Sequence, residues 1–225
     1  MRDMYVKNIS KNFGDLRVLD NLSMDFLHGK ITCILGPSGC GKSTFLNVIS
    51  GLDAEYSGET EGFEGKDISF VFQEDRLIPW LKTKDNIELV LRRKYKKEIR
   101  KELIHKYTSM MGIQEYLDFY PKELSGGMKQ RASLARALSY GGEIIIMDEP
   151  FKALDLKIKN KLMADFRKIQ HEESKTVIFV THDVDECLEL GDYIYILTDK
   201  PSKTKSHFEN KDISKKDILE IIQKD

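Results

Sequence analysis

No apolar run in this sequence approaches the roughly 20 residues that a membrane-spanning helix needs, so no helical span is expected. The N-terminus, Met1-Arg2-Asp3-Met4-Tyr5, lacks the apolar core of a signal peptide. Cysteine is scarce. Cys33, Cys40 and Cys187 form no CxxC pair, and an odd count argues against a disulfide framework. A reducing, cytoplasmic setting fits that usage. Net charge is close to absent, since 36 Lys and Arg against 37 Asp and Glu leave −1. That balance gives no electrostatic reason to expect nucleic acid as a partner. Internal repeats and low-complexity tracts are missing too, which sets aside solenoids and arrays. What remains is an ordinary globular composition, 40% hydrophobic and 32% charged over 225 residues. Such a chain is long enough to bury a core, as one large domain or a domain with a subdomain.

Along the chain, strand and helix patterns alternate, which predicts a mostly parallel sheet with helices packed on it. Ile31–Leu35 is a short apolar run ending in Gly-Pro, a strand feeding a loop, and Lys42–Ser50 reads as a helix closed by Gly51. Ile68–Phe72, Glu143–Met147, Thr176–Val180 and Tyr193–Leu197 read as further strands, with helices near 156–172 and 183–189. Residues 83–119 change character, with helical stretches rich in Leu, Lys, Arg and Glu and no strand signal. This marks a helical insertion. The expected organisation is a single α/β domain over 1–225, its core at about 1–82 and 125–200 and its helical subdomain at about 83–124. After Leu197 a short polar, lysine-rich tail over 198–225 includes a terminal helix from Asp212 to Gln223.

Two segments look able to bind phosphate. Gly36-Pro37-Ser38-Gly39-Cys40-Gly41-Lys42-Ser43-Thr44 fits G-x-x-x-x-G-K-[ST] after a strand and at the start of a helix. Its glycines let backbone N–H groups wrap phosphates, Lys42 offsets terminal-phosphate charge, and Ser43 supplies an oxygen to Mg²⁺. On these residues the core resembles a P-loop NTPase with an N-terminal antiparallel β region, and Cys40, near a helix start and Lys42, reads as a reactive thiol that bound nucleotide protects from alkylation. The second segment is Leu124-Ser125-Gly126-Gly127-Met128-Lys129-Gln130-Arg131, where Ser125 and two glycines precede a helical run over Met128–Leu138. Exposed N–H groups at a helix start also suit a phosphate. One P-loop already holds a nucleotide, so the second segment needs its own explanation.

Carboxylates complete the set. The apolar strand before Asp148-Glu149-Pro150 ends in two adjacent acids, at the strand end where open α/β sheets bind ligands. One acid suits the water shell of Mg²⁺ and the other the attacking water; the alternative is a capping pair for the next helix. His182 follows the strand Thr176–Val180 and reads either as a cap or as a group facing the γ-phosphate. Gln73, after Ile68–Phe72, can orient water or touch Mg²⁺.

Together these residues resemble the nucleotide-binding subunits of ATP-binding cassette (ABC) transporters, over about residues 3–197 and in the family's order. The resemblance implies a P-loop at 36–44, a glutamine loop at Gln73, a signature at 124–131 and a Walker B strand at 144–149. It also implies a D-loop at Ala153-Leu154-Asp155, a switch histidine at His182, and Phe13 stacking on adenine beside Val18. ATP and Mg²⁺ are the implied ligands, with Ser43, Gln73 and Asp148 at the metal. Glu149 is the implied general base, aided by His182, Gln73 and Lys42. In the family two subunits pack head to tail, and Ser125, Gly126 and Gly127 of one close on the ATP of the other, with Asp155 coupling the sites. The implied partners are therefore a second copy or paired ABC subunit, membrane permease subunits and, indirectly, a solute-binding protein. The implied location is the cytoplasmic side of the membrane. A soluble ABC ATPase without a membrane partner is the alternative.

Gln73-Glu-Asp-Arg-Leu-Ile-Pro79-Trp80-Leu81 is similar to the segment after the glutamine loop in importer ATPases for nitrate, sulfonates, taurine and pyrimidine precursors. Trp80 reads either as core or as a residue facing the permease. Lys152 stands where the family's usual Glu-Pro-Phe-Gly-Ala-Leu-Asp has glycine, as a neutral surface residue or a changed dimer contact. The basic run Arg92–Lys101 reads as a solvated helical face, or as a contact for anionic lipid.

Overall fold

The computed structural model describes residues 4–211 and 213–223. In chain order the elements are β1 (Met4–Phe13), β2 (Leu16–Phe26), β3 (Ile31–Leu35), α1 (Lys42–Ile49), β4 (Ser57–Glu61) and β5 (Ile68–Val71). There follow α2 (Thr83–Leu91), α3 (Lys97–Met110), α4 (Gly126–Tyr140), β6 (Ile144–Asp148), α5 (Leu156–Glu173) and β7 (Thr176–Thr181). The chain then forms α6 (Val184–Leu190), β8 (Tyr193–Leu197), β9 (Thr204–Glu209) and α7 (Lys215–Gln223). Two compact units contain them, residues 1–66 with 170–225, and residues 67–169.

The first unit carries two sheets. One is antiparallel with strand order β2-β1-β4. Leu22, Met24 and Phe26 alternate inward along β2 and are buried, as a sheet with one wet face requires. In the other, β3 lies between β7 and β8 in parallel register, with Leu35 level with Thr181 and Ile196, and β9 closes the edge antiparallel to β8. Every residue of β3 and β7 is buried, which explains why they read as unbroken apolar runs rather than alternating ones. The carboxyl ends of β3 and β7 therefore deliver residues 36–44 and His182 at the same level of the sheet.

The second unit pairs β5 with β6 in parallel, Ile68 level with Ile144 and Val71 with Met147. Helices α2 and α3 pack on α4, and α4 packs on β5. Short 3₁₀ turns at Gln114–Tyr116 and Pro121–Glu123 join α3 to α4. Ser125 caps α4 by accepting from the Met128 N–H at 3.3 Å, and Gly141 ends it in the left-handed conformation. The helical stretch over 83–124 carries no strand. Together with the parallel strands and the N-terminal antiparallel sheet, it makes up the α/β fold that the sequence pattern predicts.

Two features differ from expectation. The segment after Leu197 holds more than a helix: β9 is an edge strand, and Ser202 is fully buried. The expected helix start at Asp212 lies outside the described residues, and α7 runs from Lys215. Secondly, Cys33 and Cys187 are joined as a disulfide between β3 and α6, although the odd cysteine count argued against one. They lie 154 positions apart in sequence, and only the packing of α6 on β3 brings them together. Cysteine usage thus carries no argument about compartment.

The turn from α4 into β6 sets where Asp148 and Glu149 emerge, and it leaves no room for a side chain. A Cβ on Gly142 would sit 2.6 Å from the Ser69 nitrogen in β5 and 2.8 Å from the Asp67 oxygen just before it, both backbone atoms. The Gly142 N–H donates to Ser69 Oγ at 3.0 Å in the same buried place. Gly142→Ala is expected to destabilise the protein by about 2–3 kcal/mol, read as a lowered midpoint in denaturant with an unchanged slope.

Candidate active site

In the first unit, the chain leaves β3 at Gly36 and curls before entering α1. Gly39 and Gly41 take φ of 79° and 122°, in the left-handed region where only glycine is unstrained. At Gly41 the approach is also close, since a Cβ would lie 2.9 Å from Val18 Cγ1. The Lys42 ammonium folds back over the loop and donates to the Gly36 and Pro37 carbonyls at 2.7 and 2.8 Å. Lys42 is buried, so its charge is concentrated on the space the loop encloses. Ser38, Gly39 and Ser43 are exposed and Thr44 is half-buried on the first turn of α1. These are the features a polyphosphate needs: open backbone, a fixed cation and a hydroxyl for a metal.

The loop is braced from behind. Val18 is buried beneath it, and the Val18 carbonyl accepts from the Ser202 N–H at 2.9 Å. The Ser202 hydroxyl in turn donates to the Cys40 carbonyl. Phe13 behaves differently: it is 52% exposed at the end of β1, with the Lys11 ammonium 4.9 Å from its ring centroid. A flat face is therefore open to an aromatic base at Phe13, while Val18 supports the loop. His182 is exposed at the end of β7 and lines a cleft of about 740 Å³ with Gly36 and Pro37.

The second unit holds the remaining residues. Gln73 is exposed just after β5. Asp148 ends β6 and Glu149 follows it, both 6% exposed. Glu149 adopts φ of 46°, an uncommon conformation for a residue with a side chain, which turns the chain sharply ahead of Pro150. Ser125 and Gly126 are exposed at the start of α4, and Gly127 is half-buried. A Cβ on Gly127 would crowd the Ala153 carbonyl at 3.1 Å. Gln130 of the same helix donates to the Pro150 carbonyl at 2.9 Å. The signature segment and the acid-bearing turn thus form one packed assembly. Asp155 is exposed and caps α5, accepting from the Ile158 N–H at 3.1 Å.

Against known proteins, the profile of the ABC transporter family matches residues 19–152. The chain belongs to that family. It is 40% identical to an aliphatic sulfonates import ATP-binding protein, SsuB of Bacillus cereus, over 91% of this chain and 83% of that one. It is also 40% identical to the ABC transporter ATP-binding protein MJ0412 of Methanocaldococcus jannaschii, over 89% and 79%. Among solved structures, the dimeric ABC transporter cassette MJ0796 superimposes with a TM-score of 0.85 at 32% identity, over 93% of this chain and all of that one. That cassette has also been solved as a dimer in a post-hydrolysis state bound to ADP and Pi, with a TM-score of 0.83. As a member of the family, this chain is an ATPase.

The donor set suits the ligands of an ABC ATPase. Among the described residues no group of three or more His, Cys, Asp or Glu could cage a metal. Mg²⁺ takes one or two protein oxygens and fills its shell with water and phosphate, and Ser43 and Asp148 carry oxygens of that kind. Two features near these residues escaped sequence reasoning. Ser202 carries no motif, and the polar segment around it offers no periodic signal. The other is the pairing of Lys152 with Glu149, for which a signal existed in the three-residue spacing.

One expectation needs correction. Cys40 is 1% exposed, so it is not the accessible thiol suggested by its place in the loop. Its reaction with iodoacetamide should be slow in the native protein, with or without ATP, and should reach one thiol per chain only on adding denaturant. Quantitative mass spectrometry of the Cys40 peptide checks this, and rapid native labelling would contradict it.

Proposed function

We propose that this chain is the ATP-hydrolysing subunit of an ABC importer of the nitrate, sulfonate and taurine type. It works on the cytoplasmic face of the membrane. The observation that carries this reading is the second phosphate-capable helix start. Ser125 and Gly126 lie exposed at the N-terminus of α4, in a chain that already has a complete phosphate loop. A spare half-site makes sense when two copies each lend it to the other. The import protein SsuB at 40% identity supports the importer class.

In this reading ATP lies on the loop of residues 36–44, with its base against Phe13. Lys42 balances charge on the terminal phosphates. Ser43, Asp148 and Gln73 hold Mg²⁺, which when bound polarises the phosphoryl oxygens and offsets charge that develops on transfer. Glu149 accepts a proton from the attacking water, and His182 keeps water and γ-phosphate in register. Ser125, Gly126 and Gly127 of a second copy donate to the γ-phosphate, while Asp155 couples the two sites. Binding closes the pair of cassettes, and hydrolysis with release of phosphate reopens it. The permease feels that cycle through the segment after Gln73. Trp80 supports this assignment: it is 77% exposed, not core, and follows Ile78, which lines an apolar cleft of about 340 Å³ in the second unit. The basic run is a mostly solvated face, with Arg92, Arg93, Lys96, Lys97 and Lys101 exposed, while Lys94 pairs with Asp67 at 2.7 Å and Arg100 with Glu88 at 3.0 Å.

Glu149→Gln should lower kcat by about 10²–10⁴-fold, the range for loss of a general base, and should accumulate a dimer in Mg-ATP. Light scattering coupled to size exclusion reads this; a monomer at saturating Mg-ATP, or normal turnover, refutes the mechanism. Ser125→Arg should abolish hydrolysis while ATP still binds the chain. It also removes the cap of α4, at a cost of about 1 kcal/mol, so folding is followed by circular dichroism. Loss of nucleotide binding in a folded Ser125→Arg protein refutes donation between copies.

A further inference from the structure

Lys152 is the residue that departs from the pattern of the family, and it contacts the proposed base. Its ammonium lies 2.8 Å from Glu149 Oε2, three residues back along the same turn. The turn is closed by the Lys152 N–H donating to the Glu149 carbonyl at 3.3 Å. The two partners differ in environment. The Glu149 side chain is 6% exposed, whereas that of Lys152 is 52% exposed. The contact is an ion pair between a buried carboxylate and a half-exposed ammonium. Such a contact draws the carboxylate onto its own turn without locking it there. A glycine at position 152 has no group that could do this.

We propose that Lys152 is a positioning residue that withholds Glu149: its ammonium holds the carboxylate on the turn of residues 149–152 and lowers turnover until the turn is rearranged. The proposal rests on Glu149 being the base. To take a proton from water, a carboxylate must present a free oxygen lone pair along the water's O–H direction. An ammonium against Oε2 occupies one oxygen and biases the rotation that the other can take. Because the lysine reaches in from solvent, water competes for it, and the hold is weak and reversible. The turn is also where outside influence arrives. Ala153 and Asp155 on the following residues are exposed, so a neighbouring molecule bearing on them shifts the backbone that carries Lys152. Turnover is then low in the isolated chain and is set free by assembly.

The test is steady-state phosphate release by the full chain in saturating Mg-ATP, without permease. Lys152→Met keeps the length of the side chain and removes its charge. It is expected to raise kcat roughly two- to fivefold, the factor a half-exposed ion pair can supply, with KM unchanged. Lys152→Arg keeps the cation and should restore the low turnover. An unchanged or lowered kcat in Lys152→Met overturns the proposal, as does an equal rise in Lys152→Arg, which would show that charge is not the cause. Glu149→Gln is measured beside both. If Glu149→Gln still hydrolyses ATP, the base itself is wrongly assigned. If it is inactive and Lys152→Met is no faster than the unaltered chain, only the withholding contact fails.

Discussion

The constraint on which the nucleotide chemistry depends is the lack of space under the phosphate loop. Gly41 stands with φ of 122° against Val18, in a conformation and at a distance that exclude any side chain. The loop can curl tightly enough to turn its N–H groups inward only because β2 passes directly beneath it. The same curl brings the Gly36 and Pro37 carbonyls within reach of the Lys42 ammonium. A lysine buried without those carbonyls would pay a large desolvation cost. With them, it is a cation held in place before any phosphate arrives, so little reorganisation is left for binding. Ser202 adds the third support, since it joins the Val18 carbonyl to the Cys40 carbonyl across a large sequence separation. The segment after Leu197 is thereby a structural part of the phosphate site.

Buried strands could be read from the sequence because burial on both faces leaves no ambiguity of pattern. The run Ile31–Leu35 was bounded by Lys30 and Gly36 and formed a strand with those limits. The start of α4 was equally plain, since Ser125 followed by two glycines is a cap with open N–H groups. Edge strands were not. β4 reads Ser-Gly-Glu-Thr-Glu and β9 reads Thr-Lys-Ser-His-Phe-Glu, and neither carries an apolar stripe. They are strands because β1 and β8 offer them a ladder of backbone partners, a tertiary cause that no local pattern records. At β4 the glycine matters more than any apolar residue. A Cβ on Gly58 would lie 2.5 Å from the Asn8 carbonyl, so only glycine lets β4 approach β1.

The same distinction runs through the site. Motifs named the groups proposed to touch nucleotide, because phosphate chemistry demands those residues at that spacing. They said nothing of the residues that support them. Ser202, the join of Cys33 to Cys187 and the burial of Cys40 all follow from which elements stack together. Cys40 is instructive: a helix start and a nearby lysine argued for reactivity, but burial under the loop decides access, and access comes first. Lys152 lies between these cases. Its contact with Glu149 is local, three residues apart in a turn, so spacing alone could have exposed it.

The second unit explains why a helix N-terminus and an acid can act together. Gln130 holds the Pro150 carbonyl, and Gly127 fits against the Ala153 carbonyl without space for a side chain. The residues that would grip another copy's phosphate are thus packed against the turn that bears Glu149 and Lys152. In the proposed function, a phosphate bound at Ser125–Gly127 would bear on that turn, and a change in the turn would alter the fit of Gly127. Coupling of this kind is reciprocal as a matter of thermodynamics. If closure on a phosphate favours one arrangement of residues 149–153, that arrangement must favour closure to the same degree. An ion pair that stabilises a different arrangement acts against both at once, so a single lysine on this turn can influence assembly and chemistry without touching the nucleotide.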